Sequence, residues 1–131
     1  MKTLMVVLVP AALGGCSILG GVYDSNEYGS FVKVAQLASQ AKSVCVSGDA
    51  DSIKQTGLQL QQAATYSMLF TQHLPNNNEL HSISTSIHDL TKEFVERATG
   101  TLSPTYCSIK LDTIFQAAQT GASAAVSKRR Q

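Results

Sequence analysis

The chain has 131 residues with a formal net charge of +1, and charged side chains make up only 15% of it against 44% hydrophobic ones. That length holds one modest domain, and from Cys16 onward, setting aside the terminal Lys128, Arg129 and Arg130, six bases stand against nine acids, a sign that does not suggest the basic stripe of a nucleic-acid surface. Three cysteines with no CxxC spacing argue against thiol redox chemistry as the function.

The first segment carries Lys2, an apolar stretch from Leu4 to Leu13 broken by Pro10, and the small residues Gly14 and Gly15 ahead of Cys16. These are the three regions of a secretory signal. The stretch is too short to span a bilayer, which takes about 20 apolar residues, and Gly20 and Gly21 interrupt the pattern first. Leu13 to Cys16 resembles the lipobox of a bacterial lipoprotein precursor; the other reading is an ordinary cleaved signal in which Cys16 is incidental. The resemblance implies cleavage before Cys16 and acylation of its thiol by diacylglycerol and of its new amino group by a fatty acid. No other cofactor is implied. Two or more chains are what durable anchoring takes. Within that class an aspartate after the cysteine favours inner-membrane retention, and here the residue is Ser17. In a Gram-negative host the resemblance therefore implies the inner leaflet of the outer membrane, facing the periplasm, with the periplasmic face of the inner membrane as the alternative. The expected organisation is a signal peptide over residues 1–15, a lipidated tether over 16–23, a folded domain over 24–127 and a basic tail over 128–131.

Three groups of breakers divide the mature chain: Gly48 with Asp49, Pro75 with Asn76 to Asn78, and Gly100 with Ser103 and Pro104. They predict four helices. Asp24 opens the first, with Glu27 three residues on as the reciprocal half of a capping box, and Asn76 with Glu79 repeats that arrangement for the third. Ser103 and Pro104 start the fourth, where proline's missing N–H is no loss. Lys42 in the last turn of the first helix with Gly48 shortly beyond, and Arg97 followed by Gly100 in the third, fit carboxyl-terminal preferences.

Apolar spacing agrees. Phe31, Val34, Ala38, Ala41 and Cys45 recur in steps of three and four, as do Leu80, Ile83, Ile87, Leu90 and Phe94, and Cys107, Leu111, Ile114, Ala118, Gly121 and Ala125. The second stretch is less regular: Ile53, Gly57, Leu60, Ala64 and Met68 share a side, while Leu58, Leu69 and Phe70 spread around it. Short loops between long helices predict an all-α, up-down-up-down four-helix bundle preceded by a cleaved lipoprotein signal peptide.

That topology puts Cys45, ending helix one, and Cys107, in the first turn of helix four, at the same pole. In an exported chain with two thiols left after lipidation the expectation is a Cys45–Cys107 disulfide, the other reading being two buried free thiols. The opposite pole, holding Asp24, is tethered to the lipid. Lys128, Arg129 and Arg130 end there, as headgroup contacts worth on the order of 1 kcal/mol each or as a solvated tail.

The search for catalytic or metal chemistry returns structural readings. His81 and His88 lie a heptad apart and not at the i, i+4 spacing of a helical ligand pair, so no metal site is expected. Asp89, Glu93 and Glu96 interleave with Lys92 and Arg97, and Glu93 with Arg97 at i, i+4 reads as a solvated ion-paired face. Ser84 and His88 share a face without an orienting group or oxyanion site. The hydroxyl run Ser82, Ser84, Thr85 and Ser86 reads as a contact surface or as outward polar filler.

The sequence thus favours a non-catalytic, lipid-anchored envelope lipoprotein that binds an envelope protein, with no nucleic-acid or small-molecule partner. A cryptic envelope hydrolase is the competing class. Asp24 to Tyr28, Pro75 to Glu79 and Ser103 to Cys107 are also similar to small lipoproteins of tailed phages, which would imply superinfection exclusion or lysis. An outer-membrane spanin is typically short and proline-rich; with Pro75 and Pro104 alone after Cys16, this chain departs from that pattern.

Overall fold

The computed structural model describes residues 21–100 and 102–128. The signal segment, Cys16 and most of the tether, together with Arg129 and Arg130, lie outside the described residues. Four helices pack as a bundle: α1 (Ser25–Ser47), α2 (Ala50–His73), α3 (Asn78–Arg97) and α4 (Pro104–Ser127). Helix α1 lies against α4 and α2, and α3 closes the ring against the same two. The ends fix the directions. Cys45 near the end of α1 is bonded to Cys107 in the first turn of α4, while Glu27 at the head of α1 meets Lys128 just past the end of α4. Each helix therefore runs opposite to the one before it.

The buried positions trace one heptad-like seam per helix, with alternating steps of three and four that keep facing stripes in register. In α1 the seam runs through Glu27, Phe31, Val34, Ala38, Ala41 and Cys45, and in α4 through Cys107, Leu111, Ile114, Ala118, Gly121 and Ala125. Two glycines on these seams receive aromatic rings. A Cβ on Gly121 would stand 2.3 Å from Phe31, and one on Gly57 would stand 2.9 Å from Phe94. The interior glycine of α2 thus gives up helix propensity of about 1 kcal/mol and makes room for a large buried ring.

Two seams differ from the sequence expectation. In α3 the buried set is Leu80, Ser84, Ile87, Thr91 and Phe94, with Ile83 and Leu90 half-buried on its flank. In α2 it continues through Ser67 and Thr71 instead of Met68. Small hydroxyl side chains reach inward because they find hydrogen-bond acceptors there, and the larger apolar ones cover the seam from its edge.

The helix starts also differ in two places. Asp24 accepts from the amides of Asn26 and Glu27 as expected, but Glu27 does not reach back, because its carboxylate is buried among other helices. Asn77, not Asn76, is the N-cap of α3, and its side chain makes no cap bond. Asn76 takes the left-handed turn conformation at φ 52°, which asparagine tolerates. Ser103 caps α4 by accepting from Tyr106, with Pro104 in the first turn. Lys42 is not in the last turn of α1; it pairs with Asp112 across the α1–α4 interface at 2.6 Å.

Candidate functional site

The two failed capping boxes have a single cause. Glu27 and Asn77 turn inward and hydrogen-bond to each other, Asn77 donating through Nδ2 to Glu27 Oε2. Lys128 completes the cluster, its Nζ donating to Glu27 Oε1 at 3.0 Å and to Asn77 Oδ1. The three residues are 0%, 4% and 6% exposed. The expectation that Lys128 faces lipid headgroups from a basic tail is therefore corrected: Lys128 belongs to the bundle interior, because Glu27 is already buried there and an unpaired buried carboxylate is costly. Lys128 continues the seam of α4 three residues beyond Ala125, as Glu27 precedes that of α1 by four.

The geometry is self-consistent in its protons. Ammonium only donates and carboxylate only accepts, so the Asn77 amide must turn its oxygen toward Lys128 and its nitrogen toward Glu27. The second Asn77 proton goes to the Thr71 carbonyl at 3.1 Å. From Thr71 the network continues through its hydroxyl to Ser84 at 2.7 Å and to His81 Nδ1 at 3.3 Å. Ser84 also reaches the His81 carbonyl at 2.9 Å. Beside this chain, Ser30 donates to Ser67 at 3.0 Å, or to its own Glu27 carbonyl at 2.7 Å. Ser84, expected on an outer hydroxyl face or on one face with His88, is thus an interior partner of Thr71, and His88 instead faces Asp89 at 3.7 Å.

Gly21 closes this pole from outside. It adopts φ +71°, and a Cβ there would stand 3.2 Å from the Pro75 carbonyl, 3.3 Å from that of Asn76 and 3.3 Å from Lys128 Nζ. Only glycine suits both that conformation and that proximity. Gly21, the first described residue, therefore lies beside the loop between α2 and α3 and next to the Lys128 end of the buried ion pair.

At the opposite pole the disulfide spans Cα atoms 5.6 Å apart, within the ordinary range. Ala41, Ile53, Phe94 and Leu111 close around Cys107 without room for a water molecule. Beyond them the loops leave a small pocket of about 180 Å³, lined by Gly48, Ala50, Ile53, Ala98, Gly100 and Leu102. Val46 and Ile109 are exposed near this pole, at 81% and 59%. Around it stand ion-paired charges. Glu93 binds Lys110 at 2.9 Å and approaches Arg97 at 3.7 Å, and the Arg97 guanidinium lies over the Tyr106 ring, 5.2 Å from its centre. The bond from Lys110 holds the Glu93 carboxyl below its usual range. The Tyr106 hydroxyl assists without meeting Glu93 in hydrogen-bond geometry. Asp49 is held low by the Ser52 amide it caps.

Two open grooves flank α1, against α2 at Lys33, Leu37, Gln62 and Tyr66 and against α4 at Tyr28, Val32, Gln119 and Thr120. Lys33 and Tyr66 line the first groove, and neither groove is lined by an Asp, Glu, His or Cys. Among the described residues no group of three His, Cys, Asp or Glu is placed to hold a metal ion, and no helix is long and apolar enough to cross a membrane. No protein-family model matches the chain, and neither does any curated protein or solved structure.

Proposed function

We propose that the protein is a lipid-anchored, periplasm-facing envelope lipoprotein that works by binding a protein partner at its outward pole, without catalysis of its own. The observation that carries this reading is the polarity of the bundle. A lipobox-like Cys16 stands five positions before Gly21 in sequence, and Gly21 packs against the pole built by Asn77 and Lys128. An extended chain covers at most about 3.6 Å per residue, so acyl chains on Cys16 would hold that pole close to the bilayer and turn the disulfide pole away from it.

The disulfide pole has the make-up of a recognition patch. A small pocket between the loops and the exposed Val46 and Ile109 of the same pole supply apolar surface, and Asp49, Asp51, Lys54, Glu96 and Arg97 supply charge around it. The disulfide keeps α1 and α4 from spreading beneath the patch, which lowers the ordering cost of binding.

The test is photo-crosslinking in intact envelopes with the reactive side chain placed at Val46 and, separately, at Ile109. The same discrete adduct from both positions is the expected result. A failure of either position to give a specific adduct, while a position on α3 such as Ser86 gives one, would move the binding face elsewhere. Mass spectrometry of the mature amino terminus tests the anchor independently.

A further inference from the structure

The described charges are unevenly distributed along the bundle. Near the disulfide, α3 alone carries Asp89, Lys92, Glu93, Glu96 and Arg97. Toward the tether, no Asp, Glu, Lys or Arg occurs between residues 55 and 78, which cover most of α2 and the loop after it, or between residues 113 and 127 of α4. Glu27 and Lys128, which do lie at that pole, neutralise each other inside it. Asp24, Lys33 and Glu79 remain as the outward charges of the tether half.

Apolar surface accompanies this charge depletion. Leu69 is 47% exposed and Tyr66 56%, one turn apart on the outer side of α2, with Tyr66 stacked on Phe70 at 5.8 Å between ring centres. Val22, directly after Gly21, is 84% exposed. Gly21 itself is seated against the carbonyls of Pro75 and Asn76, so the chain coming from Cys16 arrives beside the end of α2 and not at some other corner of the pole.

Resting on the lipid-anchor reading, we propose that the end of α2 is a bilayer-docking surface: Leu69, Tyr66 and Val22 enter the headgroup–acyl boundary and set the tilt of the bundle on the membrane. Three observations converge on a lipid surface as the occupant. The tether is too short to carry the pole away from the bilayer, with at most about 18 Å between Cys16 and Gly21 even when fully extended. The end of α2 carries no Asp, Glu, Lys or Arg of its own, so its entry into the interface desolvates none on that helix, while Asp24 and Glu79 stand on the neighbouring helix starts. A tyrosine with an apolar body and a polar tip suits that boundary. Depth agrees as well. At 1.5 Å per residue Leu69 lies about 6 Å and Tyr66 about 10 Å from the end of α2, and interfacial helices sink about 5–10 Å. Leu58, on the same outward stripe, lies about 22 Å away and stays in water.

The chain contains no tryptophan, so a single substitution reports depth without background. Leu69→Trp and Leu58→Trp are each expressed with the native signal, purified in detergent and reconstituted into phosphatidylethanolamine–phosphatidylglycerol vesicles containing brominated acyl chains. Circular dichroism checks that each keeps its helical content. For Leu69→Trp the expected result is at least about a twofold loss of indole emission relative to unbrominated vesicles, with a blue shift; for Leu58→Trp no loss is expected. Equal brightness of the two variants, on protein whose mass shows an acylated Cys16, overturns the docking and leaves the anchor standing. An unmodified Cys16 overturns both.

Discussion

The two poles of this bundle solve the same problem, closing four helices at one end, by opposite means. One pole uses a covalent bond within a dry apolar setting and leaves its charges outside. The other uses an ion pair and an amide buried between three helices, and among the described residues Asp24, Lys33 and Glu79 are the charges left on the outside of that half. A disulfide tolerates any surroundings, so its exterior is free to be polar. An ionic closure turns the charges that form it inward. The two poles thereby present different surfaces, ion-paired and charged around the disulfide and poorer in described charges around the buried ion pair.

Removing one partner from the ionic pole separates the two strategies most sharply. Lys128→Met leaves Glu27 buried without a counter-charge and is expected to cost about 3–5 kcal/mol, read from the urea midpoint. Replacing Glu27 and Asn77 by leucine in the same protein recovers much of that loss, because an apolar layer needs no partners. A triple variant no more stable than Lys128→Met would show that shape, not charge, governs this end. Opening the other pole with Cys45→Ala and Cys107→Ala is expected to cost about 4 kcal/mol for a closed loop of 62 residues, by the loss of a constraint on the unfolded chain. Its native helix content is expected to persist in circular dichroism.

Between the poles, Gly121→Ala forces a Cβ against the Phe31 ring and is expected to cost about 1–3 kcal/mol, whereas Gly29→Ala, with open space around it, is expected to stabilise α1 slightly. The smallest effect concerns pH. Glu93 is held below the ordinary glutamate value by Lys110. A depressed folded value means that the stabilisation is present above the unfolded value, near 4.5, and is lost as pH falls through the folded one. Lys110→Met is therefore expected to raise the Glu93 midpoint in a carboxyl NMR titration while leaving the tether pole unchanged; an unmoved midpoint would assign the depression to another group.

Much of the fold is legible in the residues. The breakers at Gly48, Pro75 and Gly100 mark the loops, and the stripes of α1 and α4 match the buried sets at every named position. The polar pole was legible in principle. Extending the same three–four steps outward reaches Glu27 on α1, Thr71 on α2, Asn77 on α3 and Lys128 on α4, each a polar residue on a core stripe. Local chemistry argued otherwise: Glu27 has the spacing of a capping partner, and Lys128 heads a run of three basic residues. Capping and headgroup contact are readings that a short window can supply, whereas a bond across 101 residues is not.

The sequence by itself determined the helical class, the places where each helix stops, the glycine-lined seams and the pairing of the two cysteines, because all of these follow from periodicity, breakers and the order of elements along one chain. Only the tertiary structure decided where the charges go. Whether a carboxylate caps its own helix or meets a lysine from the far end of the chain depends on which groups the bundle brings within hydrogen-bond reach. That proximity exists only after the helices have packed.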